Sequence, residues 1–338
     1  MTVQQANQPL PNGCQVEGYT LQSQLSLGGF SIVYRAHDPQ GQPVVIKEYL
    51  PNALVRRLPG ETIPIIAPEH LGAFRHGMKC FFEEGRALAH LNHPNVVRVL
   101  NFFRANATVY MVMQYEQGQT LQDMIRGSRP AVVPRGDAAL PPTTAPNPAP
   151  TSAIPLSERF IRGMFARLLN GLREVHAHKL LHLDIKPANI YLRDNGTPVL
   201  IDFGAARQIL SDDAPQLRSV FTPGYAAPEH HGERAQIGPW SDIYSVGASL
   251  YACLAGGPPP AAELRQSSST QATAQQRWHG QYSDRLLEII DWCLRLDPLQ
   301  RPQSVFALQK ALVEATPLRP AQSHWLDRMV ARFGGRSE

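Results

Sequence analysis

The stretch "LLHLDIKPANIYL", residues 180–192, governs how the rest of this chain is read. It sets His182, Asp184, Lys186 and Asn189 within eight residues, between apolar flanks. A plain buried strand or helix does not carry four such groups so closely, because every buried polar atom needs a partner. The spacing therefore asks for a chemical explanation. Leu183 raises a second question, since an apolar residue stands among them.

Two more polar points follow apolar runs: Lys47 at the end of "PVVIK", and Asp202 after "VLI" and before "FG". Phosphoryl transfer needs a cation on nucleotide phosphates, hard oxygen ligands for a divalent metal, and a carboxylate to receive the acceptor's proton. Lys47 can supply the first, Asn189 and Asp202 the second, and Asp184 the third. Lys186, two residues on in an extended turn, can face the same way as Asp184 and neutralise the moving group.

The bulk numbers agree with a soluble enzyme. The chain has 338 residues, 43% of them hydrophobic, and a net charge of +4. That is enough for one large domain or two lobes. No block of Lys or Arg marks a nucleic-acid surface. Cys14, Cys80, Cys253 and Cys293 are scattered without a CxxC pair and read as reduced thiols. The N-terminus lacks an apolar signal core, and "IYSVGASLYACLAGG" is too short for a membrane span. A cytoplasmic protein with no transmembrane segment and no nucleic-acid partner is expected.

Along the chain, residues 1–18 read as a disordered polar tail. Short β-branched and aromatic runs, "SIVYRAHD", "QPVVIKEYL" and "ATVYMVMQY", predict strands. One helix, "GMKCFFEEGRALAHL", interrupts them and stops at His93-Pro94. The connection from Leu50 to Phe74 shows no clear periodicity. After Gly118 the pattern turns helical, with Ile161, Phe165, Leu168, Leu169, Leu172 and Val175 on one face of a long helix. Residues 128–155 hold 8 prolines in 28 residues and predict a disordered insertion. The fold class is α+β: a small β-rich lobe with one helix, then a larger helical lobe, with a ligand cleft between them.

At this point the chain resembles the eukaryotic-like (Hanks-type) serine/threonine protein kinases of bacteria, from about Tyr19 to Ala315. Each motif is weak alone; their order and spacing carry the resemblance. "LSLGGFSIV" resembles the glycine-rich loop, and "VVIK" the lysine strand. "HLDIKPAN" resembles the catalytic loop, "DFG" the metal motif, and "TPGYAAPE" the end of the activation segment. The resemblance implies a kinase domain over 19–315, with an N-lobe 19–113, hinge 114–118 and C-lobe 119–315 containing the insertion 129–155. A tail over 316–338 follows. It implies ATP with Mg²⁺ or Mn²⁺ as cofactors. Asp184 and Lys186 become catalytic, and Asn189 and Asp202 metal ligands. Leu25, Gly28, Gly29, Val33, Val45, Lys47, Glu84, Met113, Gln114, Glu116 and Tyr191 become the nucleotide contacts. Glu84, ten residues before Pro94, is favoured over Glu83 to orient Lys47. Met113 is the gatekeeper, Val33 and Val45 lie above the adenine, and Tyr191 lies below it. Asp242 is expected to hold the catalytic-loop backbone, Glu229 to pair with Arg301, and His182 to pack on Phe203 as support.

Lys186 and "TPGYAAPE" favour Ser/Thr protein substrates over small molecules. Ser26 and Ser31 stand where the glycine-rich loop has glycines. No charge that the chemistry needs is lost. A nucleotide-binding scaffold without transfer, and a small-molecule phosphotransferase, stay open as alternatives. Leu183 replaces the arginine that in most relatives binds an activation-segment phosphate. Arg218 occupies the place, four residues before Thr222, where many carry the phosphorylated threonine. Activity independent of activation-loop phosphorylation is expected, as are protein substrates and a cognate Ser/Thr phosphatase as partners. In the tail, Trp325, Leu326, Met329, Val330 and Phe333 share one helical face, with a membrane or partner contact over 323–336 as its sharper reading.

Overall fold

Alternating β-branched and polar residues between turn residues build the first half of the chain. The strands are Gln15–Val16 (β1), Tyr19–Leu27 (β2), Ser31–His37 (β3), Pro43–Tyr49 (β4), Val55–Arg56 (β5) and Ile65–Ile66 (β6). The helix Leu71–Ala89 (α1) follows, then strands Val99–Ala105 (β7) and Thr108–Gln114 (β8). The computed structural model describes residues 7–127, 156–203, 222–231, 237–267 and 272–314. The Pro-rich insertion, the segment with Ser211, Arg218 and Ser219, and the tail 316–338 lie outside the described residues.

The N-lobe sheet runs β1-β2-β3-β4-β8-β7 with antiparallel pairing. Its register sets Val33 opposite both Ser26 and Lys47, and Val45 opposite Met113. One face thus carries Val33, Val45, Lys47 and Met113 together. The other pleat face buries Ile32, Tyr34 and Ile46 in the lobe's core.

The C-lobe begins with a small sheet. Gly118–Thr120 (β9) and Pro198–Leu200 (β11) both pair with Ile190–Arg193 (β10). Its helices are Leu121–Arg126 (α2), Glu158–Ala177 (α3), Pro239–Ala255 (α4), Ala262–Ser267 (α5), Ala274–Trp278 (α6), Asp284–Cys293 (α7) and Val305–Val313 (α8). Hydroxyl caps from Thr120, Ser157, Thr273, Ser283 and Ser304 start five of them. All six residues of the predicted apolar face of α3 are buried. Gly118 is required where the hinge enters β9. Its φ is +148°, and a Cβ there would lie 1.9 Å from the Leu192 carbonyl oxygen.

The lobes are joined behind the cleft. Val175, Val199 and Phe203 pack into the N-lobe cluster, and the segment after α1 bonds to β11. Val97 N–H donates to Leu200 O at 2.9 Å, and Leu200 N–H donates to Asn95 O at 2.9 Å.

Three expectations change. Residues 7–18, read as part of a tail, are packed: Asn7 and Leu10 are buried, and β1 pairs with β2. Composition misses this because the partners lie 24 to 50 residues away. At the ends of the expected hinge 114–118, Gln114 closes β8 and Gly118 opens β9. The connection 50–74 holds the β5–β6 hairpin, and α1 starts six residues before the predicted Gly77.

Candidate active site

Lys47 lies within β4, two residues before its end, and is buried in the N-lobe, where the long apolar stem packs and the ammonium reaches the cleft. Its Nζ bonds Asp202 Oδ1. It also stands 5.5 Å from the Phe81 ring centroid on α1. Glu84, one helical turn on, lines the same narrow cavity with Lys47, Phe81 and Phe203. The structure therefore brings Lys47, Glu84 and Asp202 to one place. It adds the direct Lys47–Asp202 contact, which spacing did not foretell.

Below them lies the catalytic loop. Lys186 Nζ donates to both oxygens of Asp184, at 3.0 Å each, and to Thr222 Oγ1 at 2.9 Å. Asn189 Nδ2 donates to Asp184 Oδ2 and to Asp184 O, both at 2.8 Å. It lies 3.5 Å from Asp202 O. These contacts connect Lys47, Asp202, Asn189, Asp184, Lys186 and Thr222 in one series. The short turn Pro187–Asn189 is what folds Asn189 back beneath Asp184.

The backbone under this cluster is strained and pinned. Leu183 and Asp202, neither of them glycine, both have φ near +60°. Asp242, fully buried at the start of α4, accepts from His182 N–H at 2.9 Å and Leu183 N–H at 2.7 Å. His176 Nε2 adds a third contact to it at 2.8 Å. Burial pushes the Asp242 carboxyl up, but the His176 bond, the two histidines and the loop amide outweigh it and hold it below its usual range. His176 was not foreseen; it is the penultimate residue of α3, facing Asp242.

His182 stacks on Phe203 with centroids 4.3 Å apart, as expected. Burial drives its pKa down against the pull of Asp242, Asp184 and Asp202. A neutral ring satisfies both neighbours: Nε2–H donates to Ile201 O at 3.1 Å, and Nδ1 accepts Asp184 N–H at 3.3 Å. It is a fixed support for Asp184.

Where adenine contacts are expected, Met113 is buried, Gln114 is exposed, and Leu25 is 50% exposed. Tyr191 packs against the N-lobe cluster with Val45 and Ile201. Its hydroxyl donates to Glu116 O at 3.3 Å, and burial pushes its pKa up to about 12. Arg193, two residues along β10, grips the Glu116 carboxylate at 2.6 and 2.7 Å and Pro94 O at 2.7 Å. It ties the hinge to the C-lobe floor and to the segment after α1. Only its alternation with Tyr191 on a short strand hinted at this. Arg193→Met is expected to raise KM for ATP about fivefold with kcat little changed, since a bidentate charged contact orders the hinge outside the reacting atoms. Steady-state kinetics check it; an unchanged KM would remove Arg193 from the slot.

Thr222 also begins a well-anchored segment. Tyr225 and Ala226 N–H donate to its carbonyl, Ser245 Oγ donates to Tyr225 O, and Glu229 pairs with buried Arg301. Chemically, the cluster can order a triphosphate, take a hydroxyl proton at Asp184, and place a cation beside the transferring group.

Comparison with known proteins agrees with this geometry. Residues 19–313 match the protein kinase domain model. Among curated proteins, the chain is 29% identical over 294 residues to the serine/threonine-protein kinase PkaA of Streptomyces coelicolor, covering 85% of this chain and 48% of PkaA. It is 29% identical to the serine/threonine-protein kinase pkn2 of Myxococcus xanthus, covering 70% of this chain and 27% of pkn2. The chain thus spans half or less of these relatives. The solved apo form of PpkA-294 superposes with a TM-score of 0.74 at 31% identity, covering 90% of this chain and 99% of that one. The Mycobacterium tuberculosis PknI kinase domain, at 21% identity and a TM-score of 0.59 over 90% of this chain and 98% of that one, shares the fold.

Proposed function

The chain belongs to the protein kinase domain family, and on that premise we propose that it transfers the γ-phosphate of ATP to serine or threonine hydroxyls of protein substrates. One observation carries the reading: Lys186 Nζ bridges the Asp184 carboxylate and Thr222 Oγ1. That bridge sets a base, a cation and the start of the substrate-side segment in one geometry. Asp184 orients the acceptor hydroxyl and takes its proton. Lys186 stabilises charge on the moving phosphoryl group. Lys47 anchors the α- and β-phosphates, and Glu84, on the same cavity wall, orients it. Gly28 and Gly29 let the backbone near the phosphates, beneath the roof of Leu25, Val33 and Val45. Met113, Gln114, Glu116 and Tyr191 frame the base.

The donor set fits a divalent cation. Asp202 offers a carboxylate, and Asn189 commits its amide nitrogen to Asp184, which leaves its carbonyl oxygen as donor. Hard oxygens of this kind suit Mg²⁺ or Mn²⁺, with phosphate and water completing the shell. Such a cation would neutralise phosphate charge.

The reading includes regulation. Leu183 puts a hydrocarbon where a phosphate receptor would stand, and its pinned backbone is held by Asp242 without any added charge. Activity therefore needs no activation-loop phosphate. In the full chain, the Ser211→Ala/Ser219→Ala double variant is expected to keep phosphorylating an added substrate within about twofold of wild type. A near-complete loss would sink the idea. A cytoplasmic setting and a cognate Ser/Thr phosphatase belong to the same proposal. No helix among the described residues is long and apolar enough to cross a membrane.

A further inference from the structure

The glycine-rich loop is held from an unexpected direction. Its tip closes on itself through Gly28 N–H to Ser31 O at 3.0 Å. Two amides beyond β4 then fix it: Leu50 N–H donates to Phe30 O and Asn52 N–H donates to Gly29 O, both at 2.8 Å. The residues of these two donors are themselves clipped by one residue from the start of the chain, through its side chain and its backbone amide. Asn7 Nδ2 donates to Leu50 O at 3.3 Å, and Asn7 N–H donates to Asn52 Oδ1 at 3.2 Å. Asn7 is buried at 2% exposure.

The clip is anchored to a rigid block. Asn7 Oδ1 accepts Arg57 N–H at 2.8 Å, and Arg57 Nε donates to Gln8 O at 2.8 Å. The Arg57 guanidinium is wholly buried against Glu48, with bonds of 2.5 and 2.7 Å. Tyr34 and Tyr110 hydroxyls donate to the two Glu48 oxygens at 2.8 and 2.7 Å, so the buried carboxylate is fully satisfied. Leu10 N–H completes the knot on Tyr34 Oη at 3.0 Å. Glu48 is the neighbour of Lys47 on β4.

We propose that Asn7–Leu10 is a positioning element of the nucleotide site. Through Leu50 and Asn52 it holds the tip of the glycine-rich loop over the phosphates. The physical need is visible in the loop itself: β2 runs out exposed on its side, with Leu25 and Leu27 at 50% and 41% exposure. Hydrogen bonds to Gly29 and Phe30 carbonyls restrict a tip whose glycines otherwise leave it free, so less ordering is left for ATP to impose. The inference rests on reading Gly28 and Gly29 as phosphate contacts.

The test uses the full chain and ATP itself. Asn7→Ala removes the clip on Leu50 and the acceptor for Arg57 N–H; Asn52→Ala removes only the acceptor for Asn7 N–H. Both are expected to weaken ATP binding, by about tenfold and about threefold. Amide exchange should quicken at residues 27–31 but not along α3. Saturating ATP should restore kcat to within about twofold of wild type, the split expected of lost ground-state ordering. Variants that match wild type in ATP affinity and loop exchange overturn the strut while leaving the site reading intact. A wild-type chain that binds no ATP overturns the site reading and the strut with it. Should Asn7→Ala fail to fold, Asn52→Ala decides the matter alone.

Discussion

Asp184→Asn should lower phosphoryl transfer by about a thousandfold while leaving ATP affinity within about twofold of wild type. The substitution keeps the size and one acceptor oxygen. It removes the proton acceptor, and it also breaks the local pattern. Lys186 Nζ and Asn189 Nδ2, both hydrogen-bonded to this side chain, are donors. An amide nitrogen replaces one of the two acceptor oxygens, so Lys186 would keep a single bond to residue 184 beside the one to Thr222. The nucleotide contacts proposed for Lys47, the hinge and the glycine-rich loop are untouched. Labelled ATP with a protein acceptor measures the loss, and binding is measured separately. The three functional readings separate in the same experiment. A wild-type chain that binds ATP and labels nothing is a scaffold. Label in a soluble product, with none in protein, marks a small-molecule phosphotransferase. Transfer that survives in Asp184→Asn would remove Asp184 as the base.

The sequence disclosed which polar groups gather better than how they pack. The clustering of Asp184, Lys186 and Asn189 was legible because polar groups set between apolar flanks must find partners, and these find one another. The face of α3 was legible because burial follows helical period, and all of its predicted residues are buried. Asn7 was illegible for the opposite reason. A lone asparagine in a polar, Pro-containing start has no period to read, and its partners Leu50, Asn52 and Arg57 are more than forty residues away. Arg57 and Glu48 belong to no motif or period that marks them for burial. Only the tertiary fold reveals that they are fully buried and mutually satisfied. The Lys47–Asp202 contact was hidden too. Spacing says which groups share a cleft, whereas which two of them touch depends on how closely α1 and the metal motif approach.

Arg301→Ala should be the most destabilising single change among the site's supports, by about 3–5 kcal/mol, or roughly 5–15 °C in Tm. Arg301 is wholly buried and its donors are all used. Two go to Glu229, at 2.7 and 2.9 Å; the others reach the carbonyls of Trp240, Leu296 and Arg295 at 2.7 to 3.0 Å. Removing the side chain strands those carbonyls and leaves Glu229 buried with Ser241 Oγ as its remaining side-chain donor. Arg301→Lys keeps a charge without the planar fork, so it should recover only part of the loss. The pH dependence has a definite sign. Burial raises the Glu229 pKa, but bonds and charge from Arg301 outweigh it, so the folded value lies below the ordinary 4.5. The pair's contribution is therefore complete above pH 4.5 and is lost as pH falls through the depressed folded value. Wild type and Arg301→Ala should converge in Tm on acidification and differ most near neutrality. A difference under about 2 °C at pH 7, or one that widens in acid, would show that the pair does not hold this region. The effect should also reach the chemistry, because Glu229 ends the segment that begins at Thr222. With that end released, Thr222 loses its fixed place beside Lys186, and kcat should fall at temperatures where the variant is still folded.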